Sequence, residues 1–186
     1  LKAAIAIYYV IANCEASANL ARFDGVRYGL RVAAEGLEET YTATRTAGFG
    51  HEVKRRILLG SFALSAGYYD AYYGRARGAL LALRRQFRNA FETVDLIATP
   101  TTPGAAFALG EKTGDPLAMY LSDIFTTPAS LAGLAAIALP CGRDAAGLPL
   151  SLQLMAAPFA EALLLRSARA FERDLGWNVA PEFLGE

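Results

Sequence analysis

Residues 4–13, Ala-Ile-Ala-Ile-Tyr-Tyr-Val-Ile-Ala-Asn, are apolar in almost unbroken succession, a pattern that fits a buried strand and a buried helix alike. A polar stretch containing Asn19, Arg22, Asp24 and Gly25 follows and reads as a loop. From Val53 to Tyr73 apolar residues recur at helical spacing, with interruptions at Gly60 and Gly67. Ala79 to Phe91 is a cleaner amphipathic helix, with Leu80, Leu83, Phe87 and Phe91 along one side. Val94 to Thr99 reads as a short strand stopped by Pro100 and Pro103. Ala135–Leu139 and Leu148–Met155 read as two further strands. The turn residues of Cys141–Gly147 lie between them and favour an antiparallel pair. Glu161 to Leu175 is a closing helix, and the tail from Trp177 is irregular. Helices alternating with short buried strands predict a layered α/β or α+β fold.

The chain has 186 residues, enough for one domain with a real core. It is 54% hydrophobic and 19% charged, with a mean hydropathy of +0.25, greasier than an ordinary soluble domain. Either it enters a membrane or it is a piece of a larger body that covers its apolar surface. No apolar run reaches the roughly 18 to 20 residues a spanning helix needs. The longest candidate, Thr126 to Cys141, is broken by Pro128, Gly133 and Pro140. The start lacks Met and has no signal-peptide pattern. The expectation is therefore a fragment, residues 1–186 forming part of a single domain, from a cytoplasmic protein with no membrane contact.

Lys+Arg 18 against Asp+Glu 18 leaves no net field to draw the chain to nucleic acid. The basic stripe Arg75, Arg77, Arg84, Arg85 and Arg88 reads as the solvated face of a helix. Cys14 and Cys141 fit no metal spacing and read as reduced core thiols, with a disulfide between them left open. His51 has no Cys or His neighbour for a zinc site and no nearby Ser for a triad, so no metal site is expected.

Two segments carry candidate chemistry. In the run Asp115 to Gly142, Asp123 stands among Met119, Leu121, Ile124 and Phe125, where a carboxylate is costly to bury unless a cation or hydrogen-bond donor meets it. The ordinary reading of such an acid is a helix cap or a wet face. The second segment, Gly48 to Gly60, sets the basic triplet Lys54-Arg55-Arg56 against an apolar stretch. An acid and a guanidinium, each on apolar surface, are what a pocket needs to hold the two charged ends of a free amino acid. Asp70 and Asp115 keep ordinary readings, helix surface and turn or N-cap.

The strings Glu15–Gly29, Gly48–Arg56, Leu64–Tyr73 and Asp115–Gly142 closely resemble the A subunits of glutamyl-tRNA(Gln)/aspartyl-tRNA(Asn) amidotransferases, members of the amidase signature family. The resemblance implies the C-terminal part of that α/β fold, a mixed sheet covered by helices and incomplete without its N-terminal half. Members use a Ser–cis-Ser–Lys triad: a serine nucleophile in a Gly/Ser-rich loop, a second serine relaying protons, and a lysine base. This chain has no such loop, and its lysines, Lys2, Lys54 and Lys112, stand in no matching context. No catalytic residue is assigned. The resemblance instead implies substrate recognition, with glutamine's α-carboxylate held by Arg56 and its α-ammonium by Asp123. Tyr8, or the adjacent Tyr9, lines the same pocket. It further implies glutamine hydrolysis that supplies ammonia, B and C partner subunits, tRNA contact mainly through B, and ATP with Mg at B rather than in this chain. The choice between Glu-tRNA(Gln) and Asp-tRNA(Asn) would lie with the tRNA-binding partner. Two rivals stay open: another hydrolase of small amides on the same fold, and a non-catalytic module that docks partner subunits. The string Arg22-Phe23-Asp24-Gly25 fits a loop near the active site or a contact with a partner.

Overall fold

In the computed structural model, which describes residues 3–176, the alternation of residues 149–156 becomes the middle strand of an antiparallel sheet. In chain order the elements are α1 (Ala4–Leu20), α2 (Leu37–Gly48), α3 (His51–Leu64), a π-helical turn (Asp70–Gly74), α4 (Arg75–Ala90), β1 (Ile97–Pro100), α5 (Pro116–Leu121), α6 (Thr126–Ala132), β2 (Ala135–Arg143), β3 (Pro149–Ala156) and α7 (Glu161–Leu175). They form two compact units. One comprises residues up to Ile5 and from Leu80 onward, and the other runs from Ala6 to Ala79.

The first unit is a layered α/β arrangement built on β3, with sheet order β1-β3-β2. Successive β3 side chains point to opposite faces. Leu154 and Ala156 pack with Leu139 of β2 and with Leu164 and Ala168 of α7. On the other face Met155 packs with Leu83 and Phe87 of α4, Ala129 of α6 and Ala4. Each large apolar side chain removed from water in this way contributes roughly 1.5–3 kcal/mol before entropy is counted. Pro100 is the last residue of its strand rather than the first beyond it. Because β1 is an edge strand, the missing N–H leaves no ladder bond unmade. The β2–β3 register shifts between Pro140 and Gly142, so Cys141 occupies a bulge. Asp144 closes the hairpin by accepting from the amides of Ala146 and Leu148. The arginines Arg75, Arg77, Arg84, Arg85 and Arg88 are all exposed along α4, the solvated face its pattern predicts.

In the second unit the ambiguous N-terminal segment is helical, and α1 continues through Asn19 to Leu20. Its alanines and its 17-residue length decide against a strand. Gly60 does not interrupt α3; it lies inside that helix where α1 crosses. A Cβ there would stand 2.6 Å from the Asn13 carbonyl carbon and 2.8 Å from Ser17 Cβ, so only glycine allows the approach. Cys14 Sγ reaches the Gly60 carbonyl at 3.9 Å, and the Ser17 and Ser61 hydroxyls meet at 2.9 Å. Burial, aided by Glu15, pushes the Cys14 thiol up, so it stays protonated, and both cysteines are free thiols. Gly67, at φ +85°, does break the chain as its position implies.

The loop after α1 is built rather than slack. The Asp24 carboxylate accepts from the amides of Val26 (2.9 Å) and Arg27 (3.1 Å) and from Arg27 Nε (2.9 Å). Those backbone bonds first, and then Arg27, hold its carboxyl down at about 2. Arg45 of α2 donates to the carbonyls of Ala21 and Phe23, and Thr44 Oγ1 accepts from Val32 N at 3.0 Å. Among the described residues no helix is long and apolar enough to cross a membrane. Leu58, Leu81, Phe159 and Leu165 stand exposed.

Gly60→Ala should destabilise the protein by about 1–3 kcal/mol through overpacking. Gly78→Ala, at a helical site with nothing within 4 Å of the new methyl, should stabilise by about 0.5–1 kcal/mol. Melting temperatures of the two variants should therefore shift in opposite directions. For Asp24 the folded-state pKa is depressed from 3.8 to about 2, so its stabilisation is present above about pH 4 and lost as pH falls through 2. The melting-temperature gap between the wild-type protein and Asp24→Asn should accordingly be full at pH 5 and shrink toward pH 2. A gap that is constant with pH would remove the carboxylate from the explanation.

Candidate amino-acid recognition site

Helical phase separates the three cations of the basic triplet. Lys54 Nζ donates to the Thr46 carbonyl at 3.0 Å, covering the last turn of α2. Arg55 pairs with Glu52 one turn back, at 2.8 Å, on the solvent side. Arg56, turned by a further 100° or so, faces α1, and its Nη1 donates to the Tyr8 hydroxyl at 3.2 Å. Its Nε donates to Glu52 Oε1 at 2.9 Å, an i,i+4 pair. Glu52 thus orients the fork from one edge and Tyr8 from another, while Nη2 has no hydrogen-bond partner among the described residues. The Glu52 bond first, and then the Tyr8 bond, push the guanidinium further above its usual range. Glu52 is in turn held below the usual carboxylate range, by Arg55 first and Arg56 second. The Arg56 side chain is 31% exposed, so water still reaches it.

Tyr8 is half-buried, packed edge to face on Tyr9 at 5.2 Å between ring centres. Its hydroxyl touches Arg56; the Tyr9 ring braces it. A cavity of about 470 Å³ in this unit is lined by Ser17, Arg45, Phe49, Lys54 and Ile57 and does not include the Arg56–Tyr8 pair.

Asp123 belongs to the other unit. It lies in the turn of residues 122–125 that joins α5 to α6, and its side chain is exposed, so the cost of burying a carboxylate is not incurred. Its amide donates to the Tyr120 carbonyl, and its own carbonyl accepts from Thr127 N at 2.9 Å. The carboxylate makes no hydrogen bond or ion pair among the described residues, which leaves it available to a cationic ligand. Asp115 is the N-cap of α5, accepting from Ala118 N at 3.0 Å. His51 opens α3, exposed. Glu52 was not singled out in the sequence, although its place four residues before Arg56 is the signal that finds it.

The comparisons with known proteins match this chain over nearly its whole length. It is 56% identical over 181 residues to the A subunit of glutamyl-tRNA(Gln) amidotransferase from Rhizorhabdus wittichii, a match covering 96% of this chain and 37% of the relative. It is 59% identical over 175 residues to the protein of that name from Moorella thermoacetica, covering 94% and 36%. The crystal structure of the corresponding glutamyl-tRNA(Gln) amidotransferase protein from Thermotoga maritima superposes with a TM-score of 0.67 at 39% identity, covering 96% of this chain and 34% of that one. A 6-aminohexanoate cyclic dimer hydrolase, at 19% identity and a TM-score of 0.63, shares the fold. The chain thus spans little more than a third of the length of these relatives. The amidase family matches residues 1–165, both units included, and the chain belongs to that family.

Proposed function

We propose that this chain forms the glutamine-recognising part of the A subunit of a tRNA-dependent amidotransferase. The observation that carries the reading is the Arg56 fork, steadied by Glu52 and Tyr8 with its Nη2 edge open. A planar guanidinium offers a carboxylate paired donors, and charge-assisted bonds of this kind are about twice as strong as neutral ones. The names borne by relatives more than 50% identical support the same reading. On this reading Arg56 takes the α-carboxylate of glutamine, with the Tyr8 hydroxyl holding the fork in place, and Asp123 takes the α-ammonium. Fixing both ends of a small substrate sets where its side-chain amide lies, which is how positioning converts binding into rate.

The nucleophile belongs, on the same reading, to a Ser–cis-Ser–Lys triad carried by the rest of the protein. The serine displaces ammonia from the glutamine amide to give an acyl-enzyme, and water then releases glutamate. Ammonia passes to a B subunit, which uses ATP and Mg to activate Glu-tRNA(Gln) or Asp-tRNA(Asn) for amidation, while a C subunit clasps the other two. The complex acts in the cytoplasm.

The test uses the complete complex. Arg56→Ala should lower glutamine-dependent kcat/KM by an amount equivalent to roughly 2–4 kcal/mol, the loss of a desolvated charge contact. Asp123→Asn should keep the shape and lose much of the ammonium recognition. In both variants amidation driven by added ammonia should stay near wild type, because that step uses a site on another subunit. Parallel loss of ammonia-dependent activity would mean that these residues hold an interface or the fold together, and the pocket reading would fall. The 186-residue chain on its own should release no ammonia from glutamine.

A further inference from the structure

The exposed Asp123 carboxylate has no side-chain partner among the described residues, so its position is set by the turn that carries it. That turn is tied at both ends. At Ser122, the hydroxyl accepts from Lys112 Nζ at 2.9 Å. Lys112 is itself seated over the Phe107 ring, 4.2 Å from its centre, which fixes the ammonium where it can make the bond. At Phe125, the carbonyl accepts from Gln153 Nε2 at 2.9 Å. The same amide nitrogen donates to Thr99 Oγ1 at 3.1 Å, so it joins the turn to β1 as well.

Gln153 stands out by its surroundings. It is 4% exposed, in the middle of β3, on the face where its neighbour Met155 packs into the core. An apolar residue would fit that position at no desolvation cost, and a buried amide persists there only with its hydrogen bonds made. One of its donor bonds goes to Thr99 of β1 and the other to the Phe125 carbonyl at the end of the turn that carries Asp123. The Lys112–Ser122 pair serves as an anchor and not as a nucleophile. Lysine is the donor in it, and the Ser122 hydroxyl points its own proton toward the Ala118 carbonyl at 3.4 Å.

We infer that Lys112 and Gln153 are positioning residues: they clamp the two ends of the 122–125 turn and so hold the Asp123 carboxylate at a fixed place for a substrate ammonium. The inference rests on the reading of Asp123 given above. A carboxylate on a tethered turn is already ordered before the ligand arrives, so binding does not have to order it.

The complete complex tests this with two amides, glutamine and 4-carbamoylbutanoate, which lacks only the α-amino group. In Lys112→Met and Gln153→Met the KM for glutamine should rise about tenfold, a misplacement-sized effect. Hydrolysis of the deamino analogue should stay within about twofold of wild type, and Lys112→Arg should recover most of the glutamine KM. Equal losses with both amides, or no change with either, would overturn the inference. Asp123→Asn run beside them separates the two claims. If Asp123→Asn leaves the preference for glutamine intact, the reading of Asp123 fails and the inference with it. If Asp123→Asn abolishes the preference while Lys112→Met and Gln153→Met retain it, the positioning inference alone fails. Should Gln153→Met not fold, as far-ultraviolet circular dichroism would show, the half-buried Lys112 decides by the same criterion.

Discussion

A buried amide must make its hydrogen bonds inside the protein, and in the sheet-containing unit that requirement falls on Gln153. Because β3 is the middle strand, a side chain on it can reach both β1 and the helical layer above. Gln153 does so, bonding Thr99 on one side and the Phe125 carbonyl on the other. Leu154 and Ala156 seal the opposite face against α7. The alternation of one strand therefore decides two things together: which residues form the apolar layer and where the turn bearing Asp123 sits. A slip of one residue would exchange the faces and lose both.

The helical unit is organised by proximity rather than by hydrophobic bulk. Its crossing of α1 and α3 is lined by Cys14, Ser17, Gly60 and Ser61, small residues that let the backbones approach. Only at such a separation does an arginine on α3 meet a tyrosine hydroxyl on α1. The Glu52–Arg56 pair, half exposed, adds only about 0.3–0.5 kcal/mol as an i,i+4 contact. Its consequence is directional: it takes up Nε, the Tyr8 hydroxyl takes up Nη1, and Nη2 is left without a hydrogen bond among the described residues.

The adjacent loop is ordered in the same way, by backbone amides converging on one side chain. Asp24 gathers two N–H groups and Arg27, and Arg45 and Thr44 pin the segment to α2. Phe23, Val26 and Tyr28 are therefore displayed on an ordered frame although they are exposed. The string Arg22-Phe23-Asp24-Gly25, which in the sequence is a loop of undecided purpose, takes its shape from that one carboxylate.

Local periodicity by itself determined much of the secondary structure. The amphipathic face of α4, the β2–β3 hairpin with its Asp144 turn, and α7 are each dictated by which side of a helix or strand is apolar, and each formed as its pattern required. Where the pattern was apolar on all sides, at residues 4–13, periodicity carried no phase information, and length and alanine content chose the helix. Gly60 read as an interruption because a glycine in a helix lowers its propensity; its purpose, room for α1, exists only once the two helices cross. In the same way the basic triplet was visible, but which cation meets Tyr8 depends on helical phase and on a partner 48 positions away in the chain. The two charged residues proposed to recognise a substrate, Arg56 and Asp123, were thus legible in the sequence, most of all through the resemblance. Glu52, one helical turn before Arg56, is a local pair that the spacing encodes, whereas the bonds of Tyr8 to Arg56 and of Lys112 and Gln153 to the 122–125 turn were decided by tertiary structure, since a hydrogen bond across elements depends on distances that no local pattern encodes.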